Sequence, residues 1–208
     1  MTARIHPDVI LDGRLAIFHE RAKWLVIADL HYGYEVELRQ AGALFPLWGM
    51  QRIESRLMEL ISDYNPDSVI LLGDIVHGTR AAAETQELCE WLGGLEPDVR
   101  CVAGNHDRGA IERLMKLESS ISIDEFYFHH GHLDSAAAEG QIEIRGHLHP
   151  TVSLNDGAGL RLKLPVLIQE EQRWILPAFS PWAGGANVSE GRRWICSPKR
   201  VFEYTCQP

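Results

Sequence analysis

The sequence lacks a long hydrophobic run. Its longest strictly apolar stretch, Trp24 to Ala28, falls far short of the ~20 residues of a membrane-spanning helix, so no span and no membrane partner are expected. The opening residues carry Arg4, His6, Pro7 and Asp8 where a secretory signal would place an apolar core. Export is therefore not expected, and the cytoplasm is the expected location. Cysteine is scarce: Cys89, Cys101, Cys196 and Cys206 form no C-x-x-C pair, which argues against a disulfide framework or a thiolate metal site. They read as reduced, buried small side chains. Basic residues are also in short supply, 20 against 29 acidic, and the net charge of −9 on average repels nucleic acid and anionic membrane. The deficit is uneven: residues 1–157 hold 13 basic and 25 acidic side chains, whereas residues 158–208 hold 7 and 4. Repeats and low-complexity tracts are absent, and no linker-like stretch precedes residue 177, so residues 1–208 read as a single domain.

A chain of 208 residues buries roughly 70% of its unfolded surface and needs no metal to hold a core. Any metal it binds is there for chemistry. Short β-rich runs lie at about 14–18, 24–28, 68–72, 99–103, 125–128, 141–145, 160–168, 173–176 and 193–196. Helical periodicity lies at about 48–63, 81–93 and 109–117. The first half alternates strand and helix and the second is mostly strand, which predicts an α/β layered sandwich. Residues 177–191, PAFSPWAGGANVSEG, are too rich in Pro and Gly for a regular element and predict a long loop.

Each main apolar run ends in residues that bind metals. WLVIA leads into Asp29-Leu30-His31, SVILL into Gly73-Asp74, VRCVA into Gly104-Asn105-His106-Asp107, FYF into His129-His130-Gly131-His132, and IEIR into Gly146-His147-Leu148-His149. Carboxyl ends of strands are where α/β sheets place their sites, and five such deliveries from one sheet are expected to meet on one rim. Eight of the ten histidines fall between residues 31 and 149. Carboxylate, imidazole and amide oxygen suit Mn, Fe or Zn. On an extended segment Asp29 and His31, or His147 and His149, would point the same way. Glycines before Asp74, Asn105 and His147 allow close backbone approach. Two metals ~4 Å apart need a bridging carboxylate, for which Asp74 is the best candidate.

This order of motifs resembles the calcineurin-like metallophosphoesterases across residues 24–150. The resemblance implies a layered α-β-β-α sandwich and two divalent cations, Mn foremost, with Fe or Zn as alternatives. It implies one metal on Asp29, His31, Asp74 and His149 and a second on Asp74, Asn105, His130 and His147. His106 is then the catalytic imidazole that contacts the phosphoryl group or protonates the leaving oxygen, with Asp107 orienting it, while a metal-bridging hydroxide attacks phosphorus. ADLHYGYEVELRQAG, GDIVHGTR, GNHDR and the tail through PAFSPWAGG are similar to small bacterial metallophosphoesterases associated with a helicase or DNA ligase. That likeness implies phosphodiester hydrolysis in DNA or RNA, with phosphomonoesters or nucleotide pyrophosphates as the alternative substrates and a non-enzymatic scaffold as the least favoured reading. His77 stands where the family often has Asp.

Arg108 and His77 are candidate substrate contacts; Arg39 and Arg80 are weaker ones. His129 is expected to point away from His130 as a packed or surface residue, His132 to support the ligands without being one, and His6 and His19 to lie on the surface. Trp182 could stack on a base, although packing beneath its loop is favoured. Arg192, Arg193, Lys199 and Arg200 read chiefly as a solvated basic face.

Overall fold

A computed structural model of the protein describes residues 2–155 and 157–205. Four strands open the chain, Thr2–His6 (β1), Val9–Asp12 (β2), Ala16–His19 (β3) and Trp24–Ala28 (β4), followed by helices Tyr34–Gln40 (α1) and Gly49–Tyr64 (α2). Strand and helix then alternate through Ser68–Leu72 (β5), Ala82–Gly93 (α3), Asp98–Val102 (β6) and Ala110–Leu114 (α4). The remainder is strand: Leu117–Glu118 (β7), Ile121–Ile123 (β8), Phe126–His129 (β9), Ile142–Arg145 (β10), Pro150–Asn155 (β11), Arg161–Gln169 (β12), Arg173–Ile175 (β13), Ala186–Asn187 (β14), Arg192–Ser197 (β15) and Arg200–Tyr204 (β16).

The first sheet runs β1-β2-β3-β4-β5-β6-β7, antiparallel as far as β4 and parallel from there. The second runs β14-β11-β12-β13-β10-β9-β8, with β15 and β16 added beside β12. Alternation along β4 and β5 sorts their side chains onto two faces. Val26, Ala28, Ile70 and Leu72 face the second sheet, where Phe126, Phe128, Ile144, Leu167 and Trp174 complete the central core. Leu25, Ile27, Val69 and Leu71 face the helices and meet Ile53, Leu57 and Leu60 of α2 and Leu88 and Leu92 of α3. Each such side chain, fully buried, is worth about 1.5–3 kcal/mol. Helix α2 ends at Asn65, whose left-handed backbone (φ 43°) directs its N–H to the Ile61 carbonyl at 2.8 Å.

The α/β class and the sandwich are as expected, but the outermost layer differs. All four helices lie between residues 34 and 114, and among the described residues none covers the outer face of the second sheet. That face instead carries a small apolar cluster of Val152, Val166, Ile168, Ile175 and Ile195, flanked by Phe202 and Tyr204. Helix α4 is shorter than its periodicity predicts, because the chain turns extended at Met115 and pairs as β7. Helix α1 has no apolar stripe to announce it; it buries Glu35 and Glu37. His19 is not a surface residue, and His6 is half-buried. His19 is buried against Trp24 and Phe126, and His6 packs edge-on to Phe126 and Trp174, so both serve as aromatic filler at the rim of the core. Cys101 and Cys196 are buried thiols and Cys89 is half-buried; Cys206 lies outside the described residues. No helix among the described residues is long and apolar enough to cross a membrane.

A polar cluster pins α2 to the first sheet. Arg14 donates to both oxygens of the buried Asp12 at 3.0 and 2.8 Å and to Asp63 at 2.7 Å, and the Tyr64 hydroxyl donates to Asp12 at 2.7 Å. Burial alone would raise the Asp12 carboxyl, but these bonds outweigh it and hold the group below its ordinary value. A depressed carboxyl gives its full stability above the unfolded-chain value of about 4 and loses it as pH falls through the folded value. Asp12→Asn is expected to cost about 1–3 kcal/mol at neutral pH and to shrink the loss of stability below about pH 4. Urea midpoints measured against pH test this; a variant tracking the parent in parallel down to acid would remove Asp12 from the ledger.

Candidate metal centre

Asp29 and His31 follow β4, Asp74 follows β5, and Asn105 and His106 follow β6, all on the first sheet. His130 follows β9, and His147 and His149 follow β10, on the second. The convergence is therefore a joint of two sheets, not the edge of one. Parallel pairing of β4 with β5, of β5 with β6 and of β9 with β10 brings the carboxyl ends level within each sheet, and the sandwich lays the two rims together. Pairing continues past the strands: Asp29 N–H donates to Gly73 O at 3.2 Å, His31 N–H to Asp74 O at 2.8 Å, and Gly146 N–H to His130 O at 3.1 Å.

The segments carrying the paired donors are not extended. Among the described residues nine non-glycine residues have positive φ, and five of them are Asp29, His31, Asp74, His147 and His149 at 46–69°. Left-handed backbone costs about 1–2 kcal/mol per residue. Concentrated here, it turns successive side chains inward from a chain that would otherwise alternate. The close approaches need glycine. A Cβ on Gly104 would lie 2.1 Å from the Asp74 nitrogen, and one on Gly146 would lie 2.5 Å from Asp29 Oδ2.

Two donor groups result. Asp29, His31 and His149 form one: His31 Nε2 lies 3.3 Å from His149 Nε2, and Asp29 Oδ1 lies 3.4 Å from the same atom. Asp74, His130 and His147 form the other: His130 Nε2 lies 3.4 Å from Asp74 Oδ2 and 3.2 Å from both His147 Nδ1 and Asn105 Oδ1. Asp74 Oδ2 also lies 3.9 Å from His31 Nε2, so one oxygen faces both groups, while Oδ1 accepts the His106 backbone N–H at 2.8 Å. On the far side of its ring His130 Nδ1 sits 3.0 Å from the Leu72 carbonyl, an arrangement that commits Nδ1 to the proton and turns the Nε2 lone pair into the cage.

Charge favours a cation there. Asp29 is 0% and Asp74 2% exposed, and among the described residues neither is paired with a lysine or arginine. Buried carboxylates need such compensation. Burial would raise Asp74, yet His130 and the His106 N–H outweigh it and lower the group. His130 shows the reciprocal balance: burial lowers it, but Asp74 and Asp29 raise it overall. His31, buried and ringed by other imidazoles, is pushed down to about 3, and His147 is lowered by burial and by His130. Imidazoles beside carboxylates make a donor set suited to divalent metal.

Around the cage some expected roles shift. His106 is half-buried, its ring stacked on His77 at 4.9 Å and edge-on to His31 at 5.3 Å. Asp107 does not hold the His106 ring. Its carboxylate accepts the backbone N–H groups of Val76 at 3.0 Å and Gly104 at 2.8 Å, stapling the β5 and β6 exits together, and burial raises it to about 6. His77 lies behind the cage, not in front of it: its Nδ1 is 3.2 Å from His31 Nδ1, and Tyr34 covers its edge. His31, His77 and His106 thus form a third cluster of possible donors, legible in the sequence only as three separate histidines. His132 is exposed at the rim, its ring 5.2 Å from His130. His129 points away, packed with Tyr127 and 2.9 Å from Glu143. Arg108 is exposed beside Asn105 and His132 in a shallow hollow. Arg39 is exposed, and Arg80 is drawn to Glu37 at 3.6 Å. Trp182 is wedged between Phe45 and Trp48, with Nε1 donating to Glu35 at 2.9 Å, so packing accounts for it. Arg192 pairs with Glu203, and Arg193 and Arg200 lie over Tyr204 and Phe202 on the β15-β16 hairpin.

Residues 22–199 match the family model of the calcineurin-like phosphoesterases. No curated protein matches. Among solved structures, the nuclease MPE of Pseudomonas putida is similar over 98% of this chain and 99% of its own, at 22% identity and a TM-score of 0.76. YfcE, a phosphoesterase from E. coli, aligns over 83% of this chain and 86% of its own, at 18% identity and a TM-score of 0.46. The likeness to the nuclease MPE, at that identity, concerns the fold. The family match is broader in meaning, since it spans every strand that feeds the rim: the chain belongs to the calcineurin-like phosphoesterase family and is a metal-dependent hydrolase.

Proposed function

We propose that the protein hydrolyses phosphodiesters, most readily those of nucleic acid, at a centre of two divalent cations. The observation that carries this reading is the placement of Asp74 Oδ2 between the group of Asp29, His31 and His149 and the group of His130 and His147, with Asn105 beside the latter. One cation would be held by Asp29, His31, Asp74 and His149, the other by Asp74, Asn105, His130 and His147. Manganese suits this oxygen and imidazole mixture best, with iron or zinc as alternatives. When bound, such a pair supplies an activated water and neutralises charge developing on the phosphoryl oxygens.

The chain's own residues do the rest. His106, half-buried at the mouth of the cage, donates a proton to the leaving oxygen, and its position is fixed twice over: its backbone by Asp74 and its ring by His77. His77 also braces His31 through the ring nitrogen that does not face the cage, which makes it a positioning residue. Asp107 acts through the backbone it staples, and Arg108 at the adjoining hollow offers a forked contact to a phosphate. Preference for nucleic acid is supported by the fold shared with a nuclease and by the relatively basic C-terminal quarter, set against the overall charge of −9.

Removing divalent metal with a chelator should abolish turnover, and Mn should restore it. Bis-p-nitrophenyl phosphate, p-nitrophenyl phosphate and single-stranded DNA, run side by side, separate the substrate classes; turnover of the monoester with no cleavage of either diester overturns the phosphodiesterase reading.

His106→Ala is expected to keep its bound metal while losing about 10²- to 10⁴-fold in kcat, the usual range for a general acid. Asp74→Ala should lose at least one of the two ions, since its Oδ2 lies 3.9 Å from His31 Nε2 in one group and 3.4 Å from His130 Nε2 in the other. Metal content and rate measured on the same preparations decide both. An unimpaired His106→Ala would take that residue out of the mechanism, and an Asp74→Ala with its full metal complement would dismantle the bridge.

A further inference from the structure

Next to the cage a cleft of about 330 Å³ opens between His149 and the 177–185 loop. Its walls carry two cations, Arg56 from α2 and Lys163 from β12, with the Ser180 and Thr151 side chains as further polar groups. Among the described residues no Asp or Glu lines it. That composition is unexpected in a chain with 29 acidic residues against 20 basic ones.

Arg56 is the unusual member. It is partly buried, yet among the described residues no carboxylate forms an ion pair with it. Its contacts are a hydrogen bond to the Phe179 carbonyl at 2.8 Å and the face of the Phe179 ring, 4.7 Å from the guanidinium carbon. Those contacts hold the group in place without bringing a carboxylate to ion-pair distance. Burial, reinforced by the like charge of Arg52 and only partly offset by Glu59, pulls the guanidinium down to about 10, the direction expected of a cation short of a counter-charge. A second cavity of about 450 Å³ shares Arg56, Leu15 and Pro165 with the first and continues away from the cage past Arg52 and Arg14. Arg14 is already committed to Asp12 and Asp63, and Glu59 borders this farther cavity, so positive charge is least opposed nearest the cage.

The link to the reacting centre is short and rigid. Phe179, which accepts from Arg56, donates its own N–H to Ala28 O at 2.7 Å, and Ser180 N–H donates to Asp29 O at 3.0 Å. The segment that positions the guanidinium is thus bonded directly to the end of β4 that presents Asp29. On the opposite wall Lys163 Nζ donates to the Gly184 carbonyl at 2.6 Å, which keeps the ammonium at the cleft margin.

We propose that the cleft between Arg56 and Lys163 is a second anion subsite, which takes a non-scissile phosphate of the substrate while the scissile phosphodiester lies at the cage beside His149. This rests on the phosphodiesterase reading and narrows it: the preferred substrate carries at least two phosphates joined by sugar, and one along the chain from the cut is gripped by Arg56. A guanidinium is suited to this because its fork can meet two phosphate oxygens at once.

The test compares bis-p-nitrophenyl phosphate, with one phosphate, against the trinucleotides TpTpT and UpUpU, each with two. Arg56→Gln should lower the ratio of trinucleotide to bis-p-nitrophenyl phosphate kcat/KM by about ten-fold, the usual scale for one charge-assisted contact, and Lys163→Gln should lower it by a smaller factor. Arg21→Gln, on the exposed β3-β4 turn, makes the same charge change away from the cleft and should leave the ratio unmoved. Binding of fluorescein-labelled oligothymidylate to metal-free protein gives a readout independent of turnover: its logarithmic salt slope should fall by about 0.7 in Arg56→Gln. Equal losses on all substrates, or an unchanged ratio and slope, overturn the subsite. Should Arg56→Gln fail to fold, Lys163→Gln decides on the same criteria. A parent that cleaves no diester with any divalent metal defeats the phosphodiesterase reading instead, and the salt slope still decides the cleft.

Discussion

Two carboxylates, Asp29 and Asp74, are sealed from water with only imidazoles for company. Everything nearby follows from that imbalance. A buried anion with no lysine or arginine must be met by metal, by proton or by dipoles, and the protein supplies partial answers to each. Backbone N–H groups of His147 and His106 point at Asp29 and Asp74, and His130 leans toward Asp74. None of these is a full counter-charge, so the rim stays an attractor for cations. The fold puts its strain in the same place: five left-handed residues and glycines that leave no room for a Cβ are tolerated where they turn donors inward.

Much of this was legible in the residues themselves. Strands β4 and β5 fall where their apolar runs predict, because a β-branched stretch bounded by polar residues has few alternatives. The donors could be picked out because each stands immediately after such a run. What the residues could not convey is how the donors turn. Asp29 and His31 reach one centre through left-handed backbone at each, a conformation that leaves no mark in side-chain alternation. Nor could spacing show that the rim belongs to two sheets, since β9 and β10 look no different from strands that would extend the first.

The residues misjudged share a cause. Asp107 beside His106 suggests an acid orienting a base, yet neighbours in sequence at a tight turn diverge in space, and its carboxylate is taken by the amides of Val76 and Gly104. His6 and His19 look like surface histidines because nothing polar repeats around them, but their rings are the right size to finish an aromatic core edge. Helix α1 escaped notice because its buried side chains are glutamates, which hold Trp182, the α2 start and the chain near Arg80 through hydrogen bonds instead of apolar contact.

Phe179 and Ser180 hydrogen-bond to Ala28 and Asp29, which lie near the opposite end of the chain. The segment that braces the end of β4 therefore follows every proposed donor in chain order, His149 included. Contacts so distant along the chain form late in folding. Chains still short of Ser180 would hold loose histidines and carboxylates without that brace, and a hydrolase of this design would complete its rim only once the segment through Ser180 had docked.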